Sequence, residues 1–195
     1  MGKNIPKKAS AAGGKGLQVS RYFSKEGVSV YDLFTYEKRS SVIRNPSGDA
    51  VFEMNDVEVP ASWSQVATDI LAQKYFRKAG VPQADGTTGS EKSIKQVAHR
   101  MANCWKEWGS RYGYFATSKD ADIFYDEIVY TIVGQLSAPN SPQWFNTGLH
   151  SSYGITGKPQ GHYYVDPVTE VLSKSTSAYE RPQPHACFIL SVEDE

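Results

Sequence analysis

The sequence predicts an α+β fold, mainly helical, with one β-hairpin near its start and a β-strand at its end. Three observations predict it. Two β-type runs flank Asn45-Pro46-Ser47-Gly48, three later stretches carry apolar residues at helical spacing, and Cys187 opens the apolar run Cys187-Phe188-Ile189-Leu190 behind a proline cluster. With 195 residues, 39% of them hydrophobic, the chain can bury the core of one domain or two small ones.

Residues 1–17 are small, basic and glycine-rich, and read as a flexible tail because they offer too little apolar surface to offset the entropy of ordering. Gly13 to Gly16 lacks the glycine spacing, the Lys-Ser/Thr ending and the preceding strand of a phosphate loop. Residues 18–138 then form the helical domain. Its hairpin spans 34–59, with Tyr36, Lys38, Ser40 and Val42 on one face of the first strand, and Val51, Phe52, Met54, Val57 and Val59 in the second. Asn opens the turn, Pro46 fixes φ at its second position and Gly48 accepts positive φ.

The first helix is predicted from Trp63 to Lys78, with Trp63, Val66, Ala67, Ile70, Leu71 and Phe76 as its stripe, and it stops at Gly80-Val81-Pro82. The second runs from Ser93 to Gly109 on Ile94, Val97, Ala98, Met101, Trp105 and Trp108, with Ser90 as its cap. The third runs from Lys119 to Leu136, capped by Ser118, with Asp120 and Asp122 in its first turn and Ile123, Phe124, Ile128, Ile132 and Leu136 buried. Cys104 and His99 fall inside the second helix and read as packing and structural residues.

Beyond Ala138-Pro139 the signals change to loops and short strands. Residues 150–182 read as an excursion, with an exposed hairpin around Asp166-Pro167 and a serine-rich, mobile end. Ser141, between Asn140 and Pro142, reads either as a turn serine or as a ligand contact, and Asn146-Thr147-Gly148 either as an anion-binding turn or as the close of its segment.

Composition excludes some function classes. Twenty-one Lys and Arg balance twenty-one Asp and Glu, so net charge gives no reason to expect nucleic acid or an anionic membrane as the main partner. No run approaches the roughly 18 apolar residues of a membrane-spanning helix. Two cysteines and no cleavable apolar leader argue for a reducing, cytoplasmic setting. His150, His162, His185 and Cys187 match no common zinc spacing, so no metal site is expected. Cys187 itself is either a buried strand thiol or a redox thiol at a strand end, with His185 on the same face of an extended strand. A thiol hydrolase built on Cys187 and His185 lacks an identifiable oxyanion hole.

Two segments together resemble the ribonucleotide reductase catalytic subunits. Ser141-Pro142-Gln143-Trp144-Phe145-Asn146-Thr147-Gly148 is similar to that family's S/T-P-x-x-F-N-A-G segment, and Ala186-Cys187-Phe188-Ile189-Leu190 to the S/A-C-F-x-L strand that follows it. Ser20-Arg21-Tyr22-Phe23-Ser24-Lys25-Glu26-Gly27, with Trp63 to Gly80, resembles the adenosylcobalamin-dependent (class II) branch.

The resemblance implies that Cys187 is one half of the dithiol that reduces the ribose, that Ser141 contacts the substrate's phosphate end, and that Ala186 and Cys187 line the substrate. Ala186 stands where many relatives have Ser, leaving only backbone for a contact there. The resemblance further implies a ten-stranded α/β barrel begun by residues 139–195 and otherwise absent, and adenosylcobalamin as cofactor of the full-length protein. A ribonucleotide substrate, most simply a diphosphate, a thioredoxin-type reductant, deoxynucleotide or ATP effectors and a homodimer follow as expected partners, with no direct DNA contact.

The family's Asn-x-Cys-x-Glu radical loop, second reducing cysteine and shuttle cysteines do not occur here. The 195 residues are therefore expected to be inactive alone and to expose an apolar edge around Phe188 to Val192. A non-catalytic helical interaction module, or a split subunit that binds a partner chain, is the competing expectation.

Overall fold

The computed structural model describes residues 16–166, 168–182 and 184. The tail before residue 16, Ala186, Cys187 and the expected edge at Phe188 to Val192 lie outside them.

The hairpin forms as an antiparallel pair, β1 (Tyr36–Arg44) and β2 (Ala50–Pro60). Its turn closes through Gly48 N donating to Asn45 O at 2.9 Å and Asp49 N donating to the Asn45 side chain at 2.9 Å, with Gly48 at φ +92°. The single-face alternation expected for β1 fails at a bulge. Arg39 pairs with Val57 but Ser41 pairs with Met54, so β2 carries one extra residue there, and Asp56 takes φ +59°. The bulge keeps Phe52, Met54, Val57 and Val59 directed at the core, while on β1 Ser41 is buried and Val42 is exposed.

Three helical segments supply the core, each with boundaries that differ from expectation. The first, α1 (Gln65–Ile70), is capped by Ser64 and passes into a wide π turn over Leu71–Tyr75, ending three residues before Lys78. That turn closes by Phe76 N donating to Leu71 O at 3.0 Å and resets the face presented inward. Leu71, Ala72 and Phe76 are buried, whereas Val66 and Ile70 of the expected stripe are 66% and 45% exposed. Two short strands, β3 (Val81–Pro82) and β4 (Thr88–Gly89), pair behind it.

Ser93, rather than Ser90, caps α2 (Ile94–Arg111), because Gln96 completes a reciprocal capping box with it. Ile94, Val97, Ala98 and Met101 are buried as expected. Thr117, rather than Ser118, caps α3 (Ser118–Val133), which puts Asp120 in the first turn and Asp122 one turn on, paired with Lys106 of α2 at 2.6 Å. α3 stops early because Gln135 takes φ +57° and Leu136 N bonds back to Thr131 O at 2.8 Å. Leu136 is thereby 59% exposed, and Val129 and Val133 take its place beside Ile123 and Ile132.

α2 and α3 pack together, with Val57 and Val59 of β2, Trp63 and Trp144 completing the cluster. Trp63 is satisfied as well as buried, since its indole N–H donates to Val133 O at 2.8 Å. The stretch before the hairpin lies along α3. Phe23 and Ser24 donate their amides to the Glu127 carboxylate, and Arg21 pairs with Asp126 at 2.6 Å. Burial acts against ionisation of Glu127, but the Ser24 hydroxyl and these amides outweigh it and hold its carboxyl below the usual range.

Beyond α3 the expected loops are two short helices, α4 (Ser141–Asn146) and α5 (Leu149–Tyr153). The exposed hairpin follows as β5 (Tyr163–Val165) and β6 (Leu172–Lys174). Ser175 and Ser177, in the stretch expected to be mobile, are buried, and the Ser175 hydroxyl donates to Ser177 O at 2.7 Å.

Candidate functional site

The Asn140-Ser141-Pro142 sequence is a helix start. The Asn140 side chain accepts from Gln143 N at 3.1 Å, Ser141 is the first helical residue and Pro142 follows, where a missing N–H costs nothing. Trp144 is buried and donates its indole N–H to Pro139 O at 2.8 Å, which pins α4 to the end of the α3 connection. Ser141 is left exposed at the surface, with its hydroxyl 3.1 Å from the Tyr75 hydroxyl. Tyr75 is itself held by aromatic contacts, stacked on Trp144 at 5.1 Å between centroids and tilted against Phe145 at 5.4 Å.

The Asn146-Thr147-Gly148 turn closes its segment and leaves no free donor at Thr147. The Thr147 amide is spent on Gln143 O at 3.0 Å and its hydroxyl on the Gln143 side chain. Gly148 stands at φ +81° with its α-carbon against α2, where an added Cβ would lie 2.0 Å from Arg100 O. Only glycine fits this corner, and the corner lets α5 run back along α2.

Beneath α4 lies a charged pair that the sequence reading missed. Arg100 and Glu91 have no exposed side-chain surface, and Arg100 Nε donates to Glu91 Oε1 at 2.7 Å. The remaining guanidinium donors reach Thr147 O at 2.8 Å, Trp144 O at 2.6 Å and Tyr75 O at 3.4 Å. Glu91 also accepts from the Tyr153 hydroxyl at 2.8 Å and from Arg77 N at 2.7 Å. Burial and the adjacent Glu91 carboxylate push the Tyr153 phenol well above its ordinary range, so it remains a donor. The signal in the sequence was a charge within an apolar stripe, since Arg100 lies three residues after Val97 and four before Cys104 on the buried face of α2.

The other singled-out residues occupy ordinary positions. Cys104 is buried, burial pushes its thiol up, and it rests against Ser151 and the Gly148 backbone behind the corner. His99 Nδ1 lies 2.8 Å from the Tyr125 hydroxyl, which in turn meets the Tyr31 hydroxyl at 2.9 Å. His162 Nε2 meets Arg181 O at 2.9 Å. His185, Ala186 and Cys187 fall outside the described residues, and among the described residues no three His, Cys, Asp or Glu side chains gather as a metal site. Asn140 Nδ2 donates to Pro184 O at 3.3 Å, so Pro184 meets the N-cap of α4.

The family model described as class II vitamin B12-dependent ribonucleotide reductase matches residues 37–135, from the hairpin through the end of α3. The chain belongs to that family. Among curated relatives, the vitamin B12-dependent ribonucleotide reductases of Agrobacterium fabrum and Bradyrhizobium diazoefficiens are 49% and 48% identical over 92% of this chain, and each alignment covers 16% of the relative. The Rhodopirellula baltica protein of the same name is 38% identical over 90% of this chain and is likewise covered to 16%. The chain thus spans about one sixth of the length of these ribonucleotide reductases, and it matches an N-terminal portion of them.

The pocket beside α4 does not fit a corrin. Its volume of about 360 Å³, lined by Trp105, Ile128, Ile132 and Gln143 among others, is near the lower end of sites for drug-sized ligands, roughly 300–1,000 Å³. Adenosylcobalamin is far larger than such a ligand. No helix among the described residues is long and apolar enough to cross a membrane.

Proposed function

We propose that the chain is the N-terminal part of a ribonucleoside-diphosphate reductase that makes deoxyribonucleotides by thiyl-radical chemistry, with Cys187 as one of the two thiols that reduce the substrate. The observation that carries this reading is collinear identity with vitamin B12-dependent ribonucleotide reductases, 49% over 92% of the chain. Supporting it, Ser141 is exposed on a firmly anchored helix, and Pro184, three residues before Cys187 in the sequence, meets that helix's cap.

The chemistry suits a dithiol. Replacing the ribose 2′ hydroxyl by hydrogen releases its oxygen as water and oxidises two thiols to one disulfide, which a thioredoxin-type reductant then reopens. Cys187 supplies one thiol. Cys104, buried behind the Gly148 corner, does not supply the second, which together with the radical cysteine belongs to sequence outside this chain. Ser141 holds the phosphate end of the ribonucleotide, and Ala186 and Cys187 line the ribose. By the family resemblance, the sites for adenosylcobalamin and the effector nucleotides and any homodimer contact depend largely on residues of the full-length protein outside this chain.

Changing Cys187→Ser in the full-length protein is expected to abolish multiple turnover with a thioredoxin-type reductant while leaving folding intact, because Ser keeps the size of Cys and lacks its redox chemistry. Full turnover by that variant contradicts the role given to Cys187.

A further inference from the structure

We infer that Arg100 is a positioning residue for substrate binding, because its buried guanidinium holds the backbone on both sides of the Ser141 hydroxyl. This rests on the reading of Ser141 as the phosphate contact.

The geometry is specific to a guanidinium. On one side of Ser141, Arg100 grips the last turn of α4 through Trp144 O and Thr147 O, at 2.6 and 2.8 Å. On the other, the same Nη2 leans on Tyr75 O at 3.4 Å, the backbone of the residue whose hydroxyl meets Ser141 at 3.1 Å. The fork is oriented by Glu91, whose carboxylate is fixed in turn by Tyr153 and by Arg77 N. The planar fork serves a carboxylate and three carbonyls at once. A lysine ammonium, a compact charge with three donors, cannot span them. Arg100 is too far inside to touch a ligand, with no side-chain surface exposed, so its effect on substrate runs through where α4 and Tyr75 place the serine hydroxyl. A shift of α4 by a fraction of an ångström moves that hydroxyl as a rigid body, since the helix has only six residues and both its ends are pinned.

The alternative is a pair that only stabilises the core. A double-mutant cycle in the full-length protein separates the two, with CDP as the varied substrate and Arg100→Lys, Ser141→Ala and their combination as the variants. Arg100→Lys keeps the positive charge beside Glu91 and so avoids a bare buried carboxylate. Tyr153→Phe is the milder second arm, since it loosens Glu91 while keeping both charges.

Positioning predicts that Ser141→Ala and Arg100→Lys each raise KM roughly tenfold with kcat within about twofold, and that the combined variant is no worse than the poorer single one. Tyr153→Phe is predicted to raise KM by a smaller factor, again without further effect in the Ser141→Ala background. Additive effects, or an unchanged KM in folded Arg100→Lys or in Tyr153→Phe, overturn the inference while leaving Ser141 as a contact. An unchanged KM in Ser141→Ala overturns both.

Discussion

Replacing Glu91 by Ala is expected to destabilise the chain by about 3–5 kcal/mol, the usual cost of stranding one partner of a buried ion pair. Arg100 would keep its charge in a position with no exposed surface, facing an empty space where the carboxylate stood. The loss does not stop at the charge. Arg77 N and the Tyr153 hydroxyl, both partly buried, lose their acceptor as well, at 2.7 and 2.8 Å in the intact chain, and each adds at most the low end of the roughly 1–3 kcal/mol that a buried unsatisfied donor costs. These contributions overlap, so their sum is an upper bound. Equilibrium urea unfolding reads the effect as a fall in midpoint at constant slope. The exposed pair Lys119–Glu26, whose side chains are 68% and 74% accessible, provides the contrast. Glu26→Ala should leave the midpoint almost where it was, because solvent screens such pairs.

Gly148→Ala is the second change with a large expected effect. Two independent costs meet there. The backbone is at φ +81°, a conformation that costs a residue with a Cβ about 1 kcal/mol or more, and the new methyl would stand 2.0 Å from Arg100 O and 2.5 Å from its carbonyl carbon. Those atoms belong to the backbone of the longest helix, so neither a rotamer change nor a small side-chain movement relieves the clash. A destabilisation of at least about 3 kcal/mol is expected, with α5 displaced from α2. Gly154 separates the two costs. It too has positive φ, +66°, but nothing lies within 4 Å of its added Cβ, so Gly154→Ala should cost only the conformational part, about 1 kcal/mol. Similar midpoints for the two variants would show that the close approach at Gly148 is not a constraint.

Much of the helical domain was legible because its signals are local. The Asn45 to Gly48 turn carries its own chemistry, and the apolar residues of α2 recur at a spacing only a helix can bury. What was lost depended on geometry that spacing does not encode. The π turn at Leu71–Tyr75 moved Val66 and Ile70 outward, and the bulge at Asp56 shifted the strand faces, although both segments have unexceptional composition. The start of α4 is a different case. Asn-Ser-Pro is a cap, a first helical residue and a proline where proline is tolerated, but six residues are too few to show a period, so the segment read as a loop.

The site divides along the same line. Ser141 and Cys187 were found through resemblance to a family, since a serine in a turn and a cysteine before a strand have commoner explanations. Glu91, Arg100, Thr147 and Tyr153 come together only in the folded chain. The hint available beforehand was Arg100 itself, an arginine in the middle of the face that α2 buries.

The central claim is that Cys187 gives up an electron and a proton to the ribonucleotide in each turnover. Its most direct test is one turnover of the full-length protein, its shuttle cysteines replaced by Ser so that they cannot reopen the pair, with adenosylcobalamin and no external reductant, followed by alkylation of free thiols and peptide mapping. The account predicts that Cys187 is recovered in a disulfide, in proportion to the deoxyribonucleotide formed, and that Cys104 is recovered as a thiol. Deoxyribonucleotide formed in full yield with Cys187 still alkylatable would contradict it.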